Sequence, residues 1–274
     1  MNQAVLQLLR CPVCHAELAS DDGRVCRCKG KDKQHCFDFS RSGYLNLGGS
    51  HAGDGDAKDA VLARRAFLDA GYYSCLSEHI NLILDSLSAQ TVLDAGSGEG
   101  YYTNRMAEKR DVLGIDLSRN GVDYAARRAK QTGTRAGFAV ASLFALPVKD
   151  ACLDAVVSLF APCAEQEFLR VLKPGGHLLL VGAGERHLMG LKQALYDDPY
   201  RNTGRADLPT VMEHISCQHL QDVITVEGNE MIQALFSMTP YYWRTSPKDR
   251  QKLQGLSSLT TEIDFDIFLF RKGL

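Results

Sequence analysis

Two groups of residues in this chain could carry chemistry. One is Asp94-Ala95-Gly96-Ser97-Gly98-Glu99-Gly100, a glycine-rich turn opened by an acid. The other is Cys11-Pro12-Val13-Cys14 followed by Cys26, Cys28, His35 and Cys36, a dense set of soft donors.

A glycine turn at the carboxyl edge of a parallel sheet can hold a dinucleotide or S-adenosylmethionine. Here the spacing is Gly-x-Gly-x-Gly, not the Gly-x-Gly-x-x-Gly of a dinucleotide fingerprint. An acid at position 94 repels a diphosphate and attracts a sulfonium and an α-amino group. Gly96 and Gly98 allow close backbone approach to the methionine moiety and ribose. Asp116, closing the next apolar run, can accept hydrogen bonds from both ribose hydroxyls. Adenine is expected near Ala141, Ser142 and Leu143. Leu172-Lys173-Pro174-Gly175-Gly176 is the turn expected before a fifth strand. Four elements in this order point to an S-adenosylmethionine site. Reading Asp94 and Asp116 as plain strand-end caps explains less of the pattern.

The CxxC run forms a knuckle whose two thiolates can face one ion. A tetrahedral zinc then needs two more ligands, available among Cys26, Cys28, His35 and Cys36. A segment this short seldom folds without a staple, and zinc supplies one. Such a site is closed and structural. A redox pair should instead open a helix after a strand, and here a Pro and a second Cys/His cluster argue against that. Six basic and two acidic residues lie between Arg24 and Arg41, which makes this segment a candidate for phosphate contact or simply a solvated loop. Cys75, Cys152, Cys163 and Cys217 are scattered and read as buried small hydrophobes or surface thiols.

Positioning these groups requires a particular order of elements. Residues 48–56, Gly-rich and without large apolar side chains, read as a flexible linker. A helical stretch over 57–87 is predicted to break at Gly71. Strands follow at 91–94, 111–116, 138–141, 154–160 and 177–181, with helices at 101–108, after the N-cap Ser118, and at 165–172. Residues 230–238 read as a helix and 263–270 as a final strand. Alternating strands and helices imply α/β architecture with a parallel doubly wound sheet. The expected fold is a Rossmann-like class I methyltransferase domain, mostly parallel with an antiparallel C-terminal strand, carrying a small N-terminal zinc ribbon-like module. The expected division is 1–47, 48–56 and 57–274.

Bulk properties agree. Of 274 residues, 45% are hydrophobic and 23% charged, which suits a globular fold. The net charge of -2 supplies no global attraction to nucleic acid, so any basic footprint is local. No signal peptide or membrane-spanning run is read, and a cytoplasmic location is expected.

The combination resembles the bacterial large-subunit ribosomal RNA guanine-N1 methyltransferases over nearly the full length. The resemblance rests on Cys11-Pro12-Val13-Cys14, His35-Cys36-Phe37-Asp38, Gly43-Tyr44-Leu45-Asn46-Leu47 and residues 63–73. It continues through Gly98-Glu99-Gly100-Tyr101-Tyr102-Thr103, Ala161-Pro162-Cys163, Arg186-His187-Leu188-Met189 and Met238-Thr239-Pro240. It implies zinc on Cys11, Cys14, one of Cys26 and Cys28, and His35. Cys28 is favoured because it needs the smaller insertion before the histidine. It also implies cofactor contacts at Tyr73, Tyr102, Thr103 and His187, beside Asp94, Gly96, Gly98 and Asp116.

The activity so implied is methyl transfer to N1 of a guanine in a 23S rRNA hairpin. N1 bears a proton that a base must remove, and the sequence identifies no such base. The acceptor is expected beside Phe160-Ala161-Pro162-Cys163. Partners are an rRNA hairpin and, left open, a second copy of the chain, with no membrane. Two other readings are a small-molecule methyltransferase with a structural zinc module and a non-catalytic RNA-binding or assembly factor.

Overall fold

The computed structural model describes residues 1–21, 23–31, 33–48 and 57–273. An eight-stranded sheet organises the chain. Its centre is β5 (Thr91–Ala95), β6 (Asp111–Asp116), β7 (Ala136–Val140), β8 (Leu153–Leu159) and β9 (Leu172–Ala183). These five strands run parallel to one another, and the chain reverses its direction of winding between β5 and β8. Helices cover both faces of such a sheet, which is why these strands read as near-continuous apolar runs. β10 (Glu213–Glu227) and β11 (Ser258–Arg271) form a long antiparallel hairpin at one end, with β11 against β9.

One face of the sheet packs against α2 (Lys58–Asp69), α3 (Ser74–Ser86), α4 (Tyr101–Met106), α5 (Arg119–Thr132), α7 (Met189–Leu195) and α8 (Asn229–Ser237). The break at Gly71 lies between α2 and α3, at φ 87°. Ser118 caps α5 by accepting from the Gly121 N–H, as its sequence context predicts.

The opposite face carries α6 (Glu165–Val171), a short 3-10 turn at Leu143–Ala145, and the N-terminal segment. That segment holds α1 (Gln3–Leu6) and a small antiparallel sheet of β1 (Leu18–Ala19), β2 (Val25–Cys28) and β3 (Cys36–Asp38). Its Val5, Leu6, Leu9, Cys26 and Leu45 share one buried core with Leu93, Leu113, Ala139 and Val156 of the large sheet. β4 (Leu45–Asn46) pairs parallel to β7 and becomes the edge strand of the large sheet. The Arg10 N–H donates to the Pro147 carbonyl, and Lys149 pairs with Glu17 at 3.1 Å.

The zinc-module segment is therefore built into the sheet rather than tethered beside it. The predicted linker at 48–56 lies outside the described residues except for Gly48.

The predicted strand at 263–270 extends to 258–271, and its partner β10 is an element that the sequence pattern does not predict. β10 is exposed along almost its whole length, so it lacks the period-two apolar signal of a half-buried strand.

Candidate functional site

The cofactor site is built at the carboxyl ends of β5 and β6, beside the point where the winding reverses. Asp94, on β5, is fully buried and accepts a 2.5 Å hydrogen bond from the Thr103 hydroxyl on α4. Burial pushes its carboxyl up to about 7; the Thr103 bond opposes that shift, and nearby Asp116 and Glu99 add to it. Asp116, ending β6, accepts from the Gly98 N–H at 2.9 Å and from the Ser118 N–H at 2.7 Å. The acid thus ties the glycine turn to the start of α5.

Gly96 sits at φ 86°, and a Cβ there would lie 2.5 Å from Ala161 Cβ. Only glycine accommodates both the left-handed backbone and that contact. The turn is thereby packed directly against the segment that follows β8.

Tyr73, just before α3, and His187, after β9, meet on the far side of the turn. The Asp264 N–H donates to His187 Nδ1 at 3.1 Å. A neutral ring then carries its proton on Nε2, which faces Tyr73 Oη at 3.3 Å and donates to it. Burial lowers the His187 pKa to about 4, so the ring is neutral at pH 7.

The donor set fits S-adenosylmethionine. Three acids, Asp94, Glu99 and Asp116, surround the turn and suit a ligand bearing a sulfonium and an ammonium. Ser97 Oγ, Glu99 Oε2 and Tyr102 Oη are buried without a hydrogen-bond partner among the described residues. Orphaned polar atoms of this kind mark a place where a ligand completes the bonding.

The Cys/His group is equally well defined. The ligand atoms of Cys11, Cys14, Cys28 and His35 lie within 4.8 Å of one another. Cys14 Sγ and Cys28 Sγ are 3.6 Å apart, and His35 Nδ1 is 3.6 Å from Cys11 Sγ and 3.5 Å from Cys28 Sγ. With Zn–S about 2.3 Å and Zn–N about 2.0 Å, a tetrahedron has edges of about 3.8 Å (S–S) and about 3.5 Å (S–N). The Val13 N–H donates to Cys11 Sγ at 3.4 Å and the His35 N–H to Cys28 Sγ at 3.0 Å. The His35 N–H bond is the chief reason the Cys28 thiol falls to about 6, where the thiolate is available as a ligand.

Cys26 and Cys36 stay outside this group. Cys26 is buried in the shared core, and desolvation raises its pKa to about 11. Cys36, opposite Arg27 in the hairpin, is exposed.

Several positioning residues escape sequence reasoning. Gly30 leaves room for the cluster, since a Cβ there would lie 3.2 Å from Cys14 Sγ. Asp264, 77 residues from His187, sets its tautomer. Arg205 donates to the carbonyls of Ala161 at 2.5 Å and Val181 at 3.2 Å. Only Gly30 has a local signal, as a glycine beside the second knuckle.

The doubly wound sheet, the acid-opened glycine turn and the Cys/His cluster define an S-adenosylmethionine-dependent methyltransferase of the Rossmann-like class with a structural zinc ribbon. A methyltransferase-domain family model matches residues 92–176, and a zinc-ribbon model described as RlmA, N-terminal, matches residues 9–48. A 23S rRNA (guanine(748)-N(1))-methyltransferase of Streptomyces fradiae is 30% identical over 97% of this chain and 98% of its own length. A Bacillus subtilis (strain 168) protein named as a candidate 23S rRNA guanine-N1 methyltransferase is 31% identical over 97% of each chain. One from Micromonospora griseorubida, named in the same way, is 31% identical over 90% of each. The chain belongs to the 23S rRNA guanine-N1 methyltransferase family.

Proposed function

We propose that this protein transfers a methyl group from S-adenosylmethionine to N1 of a guanine in a hairpin of 23S rRNA, in the cytoplasm. The near-full-length kinship with rRNA guanine-N1 methyltransferases carries this reading. It is supported by the presence, in one fold, of the acid-lined cofactor turn and the Cys/His cluster. Among the described residues, no helix is long and apolar enough to cross a membrane.

In this reading Cys11, Cys14, Cys28 and His35 hold one zinc ion that fastens the ribbon. Residues 1–47 form the RNA-recognising module and 57–274 the transferase domain. Asp94 and Asp116 hold the methionine and ribose ends of the cofactor, with Gly96 and Gly98 making room. Tyr102 and Thr103 sit above the turn, and Tyr73 and neutral His187 close the side towards β9. The cofactor supplies an electrophilic methyl group. The protein orients guanine N1 in line with it and excludes water. Bound there, S-adenosylmethionine would supply the methyl group by breaking its S–CH3 bond as the N–C bond to N1 forms, and the N1 proton would pass to solvent.

The test uses 23S rRNA from a strain lacking the gene, incubated with purified protein and labelled S-adenosylmethionine. Incorporation is expected at one guanine, detected as a primer-extension stop because a methyl on N1 blocks base pairing. Transfer to small quinone or acid acceptors and none to rRNA would favour a small-molecule methyltransferase. RNA binding without any transfer would favour an assembly factor.

A further inference from the structure

Phe160, directly after β8, is a backbone outlier beside the cofactor turn. It has φ 54°, a region bulky residues seldom occupy, and yet the residue is 47% exposed. A ring that meets the buried Phe265 on one side and leaves the rest in solvent is only partly explained by core packing. Such a residue persists only where its surroundings over-determine it, and these cases cluster at functional sites.

The surroundings here do so. The Phe160 N–H donates to the Val181 carbonyl at 3.0 Å. The Ala161 carbonyl accepts from the Ser158 hydroxyl at 3.3 Å and from Arg205 at 2.5 Å. The Cys163 N–H donates to Asp207 at 2.8 Å, and Asp207 pairs with Arg205. Ala161 is wedged against Gly96 of the cofactor turn. The Phe160 ring meets Phe265 in a T-shaped contact, 5.9 Å between centroids, with His187 6.3 Å away.

Topology places this ring away from the adenine. Asp116 ends β6 and Ser142 follows β7, so the nucleoside end of the cofactor extends along that side of Asp94 on β5. β8 lies on the other side of β5, across the reversal of winding. We infer that Phe160 is the stacking surface for the acceptor guanine, held over the methyl-donor end of the site by the clamped turn at 160–163. This deepens the reading given under Proposed function and rests on it. A base withdrawn from a helical stem loses its stacking partners, and an aromatic face restores them.

The experiment compares Phe160→Tyr, Phe160→Leu and Phe160→Gly. It measures steady-state methylation of an rRNA hairpin transcript, S-adenosylhomocysteine affinity by calorimetry, and thermal unfolding. Tyr should keep activity within about twofold. Leu keeps apolar volume but lacks a ring face, and should lower kcat/KM for RNA about 10- to 100-fold. Gly should show the same loss, yet unfold no lower than wild type, because it relieves the positive φ. Cofactor affinity should stay within twofold in all three. Full activity in Phe160→Gly would overturn the inference, since the turn alone would then suffice. A parallel loss of cofactor affinity would also overturn it, by making Phe160 part of the cofactor wall. A wild-type protein that leaves every rRNA guanine unmodified would instead overturn the proposed function itself.

Discussion

The Thr103 hydroxyl donates to Asp94 Oδ2 at 2.5 Å in a site where neither side chain reaches solvent. That bond favours the carboxylate, while burial favours the acid and wins, giving a pKa of about 7. The folded value lies above the usual ~3.9. The contribution of Asp94 to stability is therefore fully present below the ordinary carboxylate range and is lost as pH rises through about 7. A cationic ligand reverses this preference by pairing with the ionised form. S-adenosylmethionine affinity should therefore fall about tenfold between pH 8 and pH 6, with proton release on binding. Thr103→Val removes the donor and should move the midpoint of this dependence to higher pH. Calorimetry in buffers of different ionisation enthalpy checks both. A flat affinity over that range would show that Asp94 is already ionised in the free protein.

Cys26 and Cys28 are two positions apart on one strand, so both leave β2 on the same face. Their environments then diverge. Cys28→Ser should lose the zinc ion. Cys26→Ser should keep it at one per chain and cost about 1–2 kcal/mol for burying a hydroxyl in an apolar core. Metal analysis and chemical denaturation of the two variants measure this. Retention of zinc by Cys28→Ser would refute the ligand set. Because the ribbon shares its core with the large sheet, chelation should lower the unfolding temperature of the whole chain in a single transition.

Asp116 acts in two ways, holding the Gly98 and Ser118 N–H groups and lying where the ribose is expected. Asp116→Ala should weaken S-adenosylhomocysteine binding by about 2–4 kcal/mol, since charge-assisted hydrogen bonds are lost. Asp116→Asn retains one acceptor oxygen and should lose less. Asp38→Ala, on the exposed face of β3, should change nothing. Isothermal titration of the three variants decides the matter, and equal affinities for Asp116→Ala and Asp38→Ala would displace the ribose from this site.

The central strands are legible in the sequence because parallel strands covered on both faces are written as apolar runs, such as Leu153–Leu159. The glycine turn is legible because its backbone demands leave few residue choices. β10 is not, since most of its side chains face solvent and nothing local marks it as a strand. Nor is the docking of the ribbon. β4 has only Leu45 and Asn46, and its choice of β7 as partner is made by packing far along the chain. The pairing of Asp264 with His187 and the Arg205 clamp are likewise long-range. The choice of Cys28 over Cys26 is made by the backbone bonds that set His35 against Cys28.

The remaining prediction concerns where RNA meets the protein. Lys29, Lys31 and Lys33 lie on an open surface beside Cys14 and His35, around a cavity of about 390 Å³. Among the described residues the Lys29 ammonium pairs with Glu17 at 3.5 Å in an exposed setting, an interaction of little worth in water. The ribbon is anchored to the sheet through β4, so this basic surface keeps a fixed relation to the cofactor turn. If these lysines contact phosphates, each contact releases counterions and steepens the salt dependence of binding. Replacing all three with Gln should weaken rRNA binding and reduce the slope of log K against log salt by about 2. S-adenosylhomocysteine affinity should be untouched, because Asp94 and Asp116 lie at the sheet edge. Filter binding of a hairpin transcript from about 50 to about 200 mM salt reads the slope directly. An unchanged slope in the triple variant would place the RNA elsewhere, with the cluster around Arg64 and Arg65 on α2 the next surface to neutralise.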